Sequence, residues 1–343
     1  MILYGEKIDR LVYWPVLKWR LQDEKLLGIE IGNYRIKIAY MEKGVLKEYI
    51  SERIEEGAKP DARLCAETIR DLLAQKMIRC KKVVFVLRQE DSYVKKFKLP
   101  LMTTEQLKLN LPYEFQDYIG ERLDAFQYDY AMIDRTDDGM EHLAAACRKE
   151  LCQQFEKIAK LAKLKIVGIV PSAIGLERIL ERALHGEKKD FAVLDLRTRA
   201  VMVHFFNDGI YEITRTMETG CMEIEKIWNR DPEMIRELGL NPDESDWDEN
   251  DKKNLKSTLD ERYRSIGIQI MRVLNFYSFN NADNTIDTLY YCGGGARFKE
   301  LIDAIQANLD LPVKSLGELA PEVDLEKMPE WLDSPQTYGV LLA

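Results

Sequence analysis

The chain has 343 residues, more than the ~100–200 of a typical single domain, so two lobes or one elaborated α/β body are expected. With 46% hydrophobic and 32% charged residues it is neither a disordered polymer nor a membrane-embedded one. Its 50 basic and 59 acidic side chains give a net charge of −9 with no Lys/Arg stripe, which argues against nucleic acid as the main partner.

Residues 1–25 interleave Tyr4, Tyr13, Trp14 and Trp19 with Lys7, Arg10, Lys18 and Arg20, and Pro15 splits any helix there. This composition suits an interfacial membrane segment or an arm docked on its own domain. Glu6, Asp9, Asp23 and Glu24, which anionic lipid would repel, favour the arm. The apolar run Leu11–Leu17 is far short of the roughly 20 residues that span a bilayer, and no signal-peptide layout accompanies it. The six cysteines form no CxxC pair, and His142, His185 and His204 lie far apart. Zinc sites and disulfide frameworks are therefore not expected, and the chain reads as cytoplasmic and reduced.

From Leu26 the pattern is strand, tight turn at Gly32, strand, hairpin at Gly44 and a third strand. A helix over Asp61–Lys76 places Leu64, Ile69, Leu72 and Leu73 on one stripe, and "KKVVFVLRQ" follows as a buried strand, completing a first lobe over 26–90. Residues 91–162 read as an α+β insert. It holds an alternating strand at 92–100, a helix after a Thr cap at 103–119, a second alternating strand at 126–134, and a segment from Met140 that ends in a long helix. Residues 163–185 return to the first lobe and connect the lobes. The opening strand-turn-strand-hairpin unit then recurs from Asp190, with its hairpin at Asn207–Gly209 and its third strand ending before Gly220. The helical stretch from Ile224 to Phe279 is interrupted by the acidic run 241–254, read as a solvated loop. Residues 285–316 give a buried strand, a glycine turn, a helix and a short last strand. The second lobe covers 186–324, and 325–343 close back on the first.

Three turns follow apolar strands: "GIEIGNYRIK" (28–37), "LDLRTRAVMV" (194–203) and "YYCGGGARFKEL" (290–301). Taken singly, each is satisfied by a bend without a ligand, one that uses glycine in the first and third. Their order in two duplicated lobes resembles the actin-like ATPase superfamily, and within it the PilM family of type IV pilus assembly, then the FtsA division proteins. The resemblance rests on Glu30 and Lys37, seven residues apart where the family has Asp and Lys, on "FKLPLMTTEQLKLNLPYEFQDYI" in the insert, and on "IQIMRVLNFY" in the helix before the strand that carries the family's adenosine turn. "CGGGA" and the tail "SPQTYGVLLA" complete it.

That resemblance implies a two-lobed actin-like (ribonuclease H-like) α/β fold, an insert of the FtsA/PilM type in the first lobe, and a nucleotide cleft taking ATP with Mg. The phosphate turns map to Glu30, Gly32, Asn33, Tyr34, Lys37, Asp195, Arg197 and Gly220, and the adenosine turn to Gly293, Gly294, Gly295, Ala296 and Arg297. Glu30 and Asp195 are the positions that would meet Mg. It further implies a cytoplasmic scaffold at the inner face of the membrane, gripping the N-terminal tail of a PilN-type single-span protein. Self-association is left open, and direct membrane insertion is not expected. The departures are Glu30 for Asp, Asn33, Tyr34 and Arg35 for small hydroxyl residues, and Arg197 for Gly. Val170 and Ser172 stand where acids would position an attacking water. Arg35 and Arg197 either fork onto phosphates or pair with Glu30 and Asp195. The expectation is weak or absent nucleotide binding, negligible hydrolysis and no catalytic residue. His142 and His204 read as hydrogen-bonded structural residues, Cys292 as core, and Trp228, Trp247 and Trp331 as packing or surface anchors. An FtsA-like membrane-tethered filament protein and an actin-fold phosphotransferase are the rival readings.

Overall fold

The computed structural model describes residues 25–54, 61–184 and 187–342. Residues 1–24 of the expected arm, and His185, lie outside these. The chain divides into two compact units, Met1–Gly186 with Ala320–Ala343, and Glu187–Leu319.

In the first unit, β1 (Lys25–Ile31), β2 (Arg35–Glu42) and β3 (Val45–Arg53) form an antiparallel meander. Lys43 and Gly44, both at positive φ, make the tight hairpin between β2 and β3. Helix α1 (Ala62–Gln75) starts where Asp61 accepts from the N–H groups of Arg63 and Leu64. It buries Cys65, Ala66, Ile69, Leu72 and Leu73, whereas Leu64 is 38% exposed. The buried stripe thus runs through Cys65, four residues before Ile69, and the sequence-based placement of Leu64 on it is one residue off. Strand β4 (Lys82–Leu87) pairs parallel to β1.

The insert follows, with β5 (Ser92–Leu99), α2 (Thr104–Glu114), α3 (Gln116–Ile119), β6 (Phe126–Thr136) and β7 (Gly139–Arg148). Thr103 and Gln106 close a capping box at the start of α2. Helix α4 (Lys149–Ala162), β8 (Lys165–Pro171) and α5 (Ser172–Leu184) lead back. The main sheet runs β3-β2-β1-β4-β8, and the insert has its own sheet, β5-β7-β6. Strand β7, which the sequence did not separate from the helix after it, is covered on both faces. Ala145 and Cys147 enter the main core with Phe155 and Ile158, while Ala144 and Ala146 enter the insert core with Leu107, Leu111 and Phe115. Small side chains let both layers approach the strand closely, which is why an alanine run sits here in a sheet.

The second unit contains β9 (Phe191–Leu196), β10 (Val201–Asn207), β11 (Ile210–Met217), α6 (Met222–Trp228), α7 (Pro232–Glu237), α8 (Glu249–Asn280), β12 (Leu289–Cys292), α9 (Lys299–Gln306) and β13 (Val313–Ser315). Its sheet order, β11-β10-β9-β12-β13, repeats that of the first unit: an antiparallel meander continued by two parallel strands. Part of the acidic run 241–254 is helical rather than a loop. Asp248 caps α8 through the N–H groups of Asn250 and Asp251, and Glu249 and Asp251 occupy its first turn, where acids suit the helix dipole. The closing segment ends in the short helix α10 (Gln336–Gly339), packed on α5 within the first unit.

Candidate functional site

In the first unit the β1–β2 turn is closed by Gly32 N donating to Arg35 O at 2.8 Å. Asn33 Oδ1 accepts from Arg88 Nη1 at 2.8 Å. Arg35 turns away from both of its expected roles and donates to the Ser51 hydroxyl at 2.8 Å and carbonyl at 3.0 Å. Glu30 and Lys37 face each other in the β1–β2 register, with Lys37 Nζ 3.1 Å from Glu30 Oε1. The other carboxylate oxygen of Glu30 accepts from Ser334 Oγ at 2.8 Å and Gln336 Nε2 at 3.1 Å. Lys37 also donates to Asp333 O, and Tyr49 OH to Ser334 O. With Glu30 only 2% exposed, this carboxylate is committed on both oxygens to its own chain.

In the second unit the β9–β10 turn is closed by Arg197 N donating to Ala200 O, and it is tied to the start of α6 by Cys221 N and Met222 N donating to the carbonyls of Arg197 and Thr198. Asp195, 1% exposed, accepts from Arg197 Nε at 2.7 Å, and His204 Nε2 lies 4.0 Å from the same oxygen. Burial alone would raise the Asp195 pKa, but the Arg197 charge and His204 outweigh it and hold the carboxyl below its usual range. Its other oxygen, Oδ1, is buried without a hydrogen-bond partner. Gly293, at φ 95°, follows β12 beside it, and a Cβ there would lie 2.6 Å from Asp195 Oδ1 and 2.5 Å from Leu196 backbone. Gly220 is packed as tightly, since its Cβ would come 2.3 Å from Thr198 O.

The second unit therefore brings Asp195, Arg197, Gly220 and residues 293–297 into one neighbourhood. It adds Glu225, which the sequence reading missed. Glu225 accepts from Thr198 Oγ1 at 3.2 Å and lies 3.5 Å from Arg297 Nη2, joining the β9–β10 turn to the glycine turn. Its one sequence signal is its place on α6, five residues after Gly220. The unpartnered Asp195 oxygen beside a Cβ-free backbone fits a hydrogen-bond donor such as metal-bound water. Glu30, with both oxygens engaged, does not offer the same. Among the described residues no group of three or more His, Cys, Asp or Glu is placed to hold a metal ion, and no helix is long and apolar enough to cross a membrane.

Val170 and Ser172 are buried at the end of β8 and the start of α5, so neither supplies a carboxylate base. His204 Nδ1 bonds the Thr214 hydroxyl at 2.7 Å. Cys292 and Trp331 are fully buried. His142 is 1% exposed in the insert sheet, between the rings of Phe97 and Tyr130, and its Nδ1 has no partner. Burial lowers its pKa below the ordinary 6.5. A base with a depressed folded-state pKa makes the unfolded chain the better proton acceptor, so stability falls as pH drops below about 6.5. His142→Phe is expected to flatten the thermal midpoint between pH 7 and pH 5, where wild type declines; parallel profiles would count against this account.

A family model described as type IV pilus assembly protein PilM matches residues 28–326. No curated protein matches the chain in sequence. Among solved structures, a PilM–PilN type IV pilus biogenesis complex is similar at 18% identity and a TM-score of 0.71, over 93% of this chain and 98% of that one. The ethanolamine utilization protein EutJ from Carboxydothermus hydrogenoformans is similar at 12% identity and TM-score 0.51, over 93% and 90%. At these identities the likeness is one of fold, the actin-like α/β architecture.

Proposed function

Because this chain belongs to the type IV pilus assembly protein PilM family, we propose that it is an assembly scaffold holding the cytoplasmic tail of a PilN-type membrane protein at the inner face of the membrane. Family membership over residues 28–326 carries the reading, and the solved PilM–PilN complex supports it. The insert offers a surface for an extended peptide: two sheet edges, β5 and β6, and an outer face of α2 on which Leu109 and Tyr113 are 73% and 64% exposed while Leu107 and Leu111 are buried. Main-chain bonds along an edge would give affinity, and apolar side chains selectivity.

ATP would act as a state selector rather than a fuel. Asp195 Oδ1 and the backbone at Gly293–Gly295 are the groups suited to a metal-nucleotide, with Glu225 and Arg297 framing them. The Arg197–Asp195 pair would have to open for Arg197 to reach a phosphate, which weakens binding, and nothing at Val170 or Ser172 can activate water. Turnover is expected to stay below roughly 1 s⁻¹.

Isothermal titration with a PilN-type tail peptide, with and without Mg-ATP, tests both parts. Binding strengthened by nucleotide supports gating, and indifference to it supports a fixed adaptor. Absence of peptide binding removes the scaffold reading. The pair Leu109→Lys and Tyr113→Lys is expected to weaken peptide binding about ten-fold, an apolar anchor's ~1.4 kcal/mol, without shifting Tm. Unchanged affinity would move the docking surface elsewhere.

A further inference from the structure

Strand β7 leaves the insert and α4 begins at once, and the cysteines on either side of that junction bring their sulfurs together: Cys147 Sγ and Cys152 Sγ are 3.2 Å apart. Cys147 is fully buried, with its thiol 3.7 Å from Arg148 O. Cys152 is partly exposed in the first turn of α4, whose N-cap residue Arg148 makes no side-chain cap hydrogen bond. The amide end of a helix left uncapped by a side chain favours a thiolate close to it.

The two thiols are unequal. The hydrogen bond to Cys152, together with burial, pushes Cys147 up, and the same bond pulls Cys152 below its ordinary value. Burial pushes Cys65 up to about 11 and Cys221 up to about 12, and it also raises Cys80. One sulfur inclined to ionise, and reachable, thus rests on one that keeps its proton.

The place matters as much as the chemistry. Ser92, the first residue of β5, pairs with Cys147, and Asp91 before it is held by Arg88, which also reaches Asn33 in the β1–β2 turn. Both passages between the insert and the main sheet run through this neck.

We propose that Cys147 and Cys152 form a reversible dithiol–disulfide site that low-molecular-weight disulfides oxidise, fastening the insert's central strand to α4. The Cys152 thiolate attacks one sulfur of the oxidant, breaking its S–S bond and expelling one thiolate, which leaves a mixed disulfide on Cys152. Cys147 then attacks Cys152 Sγ, breaking the mixed bond, and its proton passes to the second thiolate as that group leaves. Two protein thiols are oxidised, and the oxidant is reduced to two thiols. A disulfide places its sulfurs at about 2.05 Å, so from 3.2 Å they close by little more than ~1 Å.

Oxidised glutathione, applied to the full chain in a graded redox buffer, tests this after acid quench, alkylation and trypsin digestion. Cleavage after Arg148 or Lys149 separates the two cysteines, so the link appears as two joined peptides, about 2 Da lighter than their sum and split by reductant. Cys152 is expected to react about ten-fold faster than Cys80, the other partly exposed thiol. Cys147→Ala, a small change in a strand of alanines, is expected to trap a glutathione adduct on Cys152 that wild type discharges. In Cys152→Ser, at a partly exposed site, Cys147 should stay unmodified. A stable adduct on wild-type Cys152, a faster Cys80, or oxidation of Cys147 in the Cys152→Ser variant would each overturn the proposal.

Discussion

Gly339→Ala is expected to lower the unfolding midpoint of the first unit by roughly 6–12 °C, the equivalent of about 3 kcal/mol in a body of this size. A Cβ on Gly339 would lie 1.9 Å from the carbonyl oxygen of Gly175 and 2.6 Å from its carbonyl carbon, so the obstacle is the backbone of α5. No side chain can turn aside to relieve it, and α10 must lift off α5 or the strain must spread into both helices. The same seat is tight from the other side. A Cβ on Gly28 of β1 would lie 1.9 Å from Thr337 O, so Gly28→Ala should behave alike. Gly294→Ala is the control, because nothing lies within 4 Å of the atom it adds. Limited proteolysis should then release the closing segment in the first two variants and leave it protected in the third. Equal midpoints for Gly339→Ala and Gly294→Ala would show that the α5–α10 approach is looser than described.

Local chemistry made much of the fold legible. The hairpins at Lys43–Gly44 and Asp208–Gly209 place two successive residues at positive φ between alternating strands, and that pattern marked both meanders and hence the duplication. What stayed hidden depends on contacts distant in sequence. The alanines of β7 look helical until two cores are known to close on the strand, and Cys65 displaces Leu64 from the α1 stripe only because β-sheet packing chooses that face. The turns themselves were placed from the sequence, but not where their arginines go. Arg35 finds Ser51 on the neighbouring strand and Arg197 finds Asp195 in its own turn, choices decided by which partner lies within reach of a half-buried guanidinium. Glu225 escaped notice for the same reason, since its partners Thr198 and Arg297 come from segments on either side of it in the chain.

The substitution that separates anchoring from nucleotide binding is at Glu30. Glu30→Ala would leave the Lys37 ammonium, the Ser334 hydroxyl and the Gln336 amide facing a vacated acceptor in a buried place, and a stability loss of about 3–5 kcal/mol is expected, with the closing segment released. Glu30→Asp is the sharper experiment. Shortening the side chain by one methylene keeps the charge opposite Lys37, which the β1–β2 register fixes, but withdraws it from Ser334 and Gln336. The variant should lose about 1–3 kcal/mol, the cost of taking the acceptor from the buried Gln336 amide while the Ser334 hydroxyl falls back on that of Thr337. If the longer glutamate has been drawn off a phosphate turn to hold the tail, the aspartate should also bind Mg-ATP about ten-fold more tightly, a gain of ~1.4 kcal/mol readable by titration. Lost stability with no gain in nucleotide affinity would make Glu30 an anchor alone. Unchanged stability would mean that Ser334 and Gln336 hold the closing segment without it.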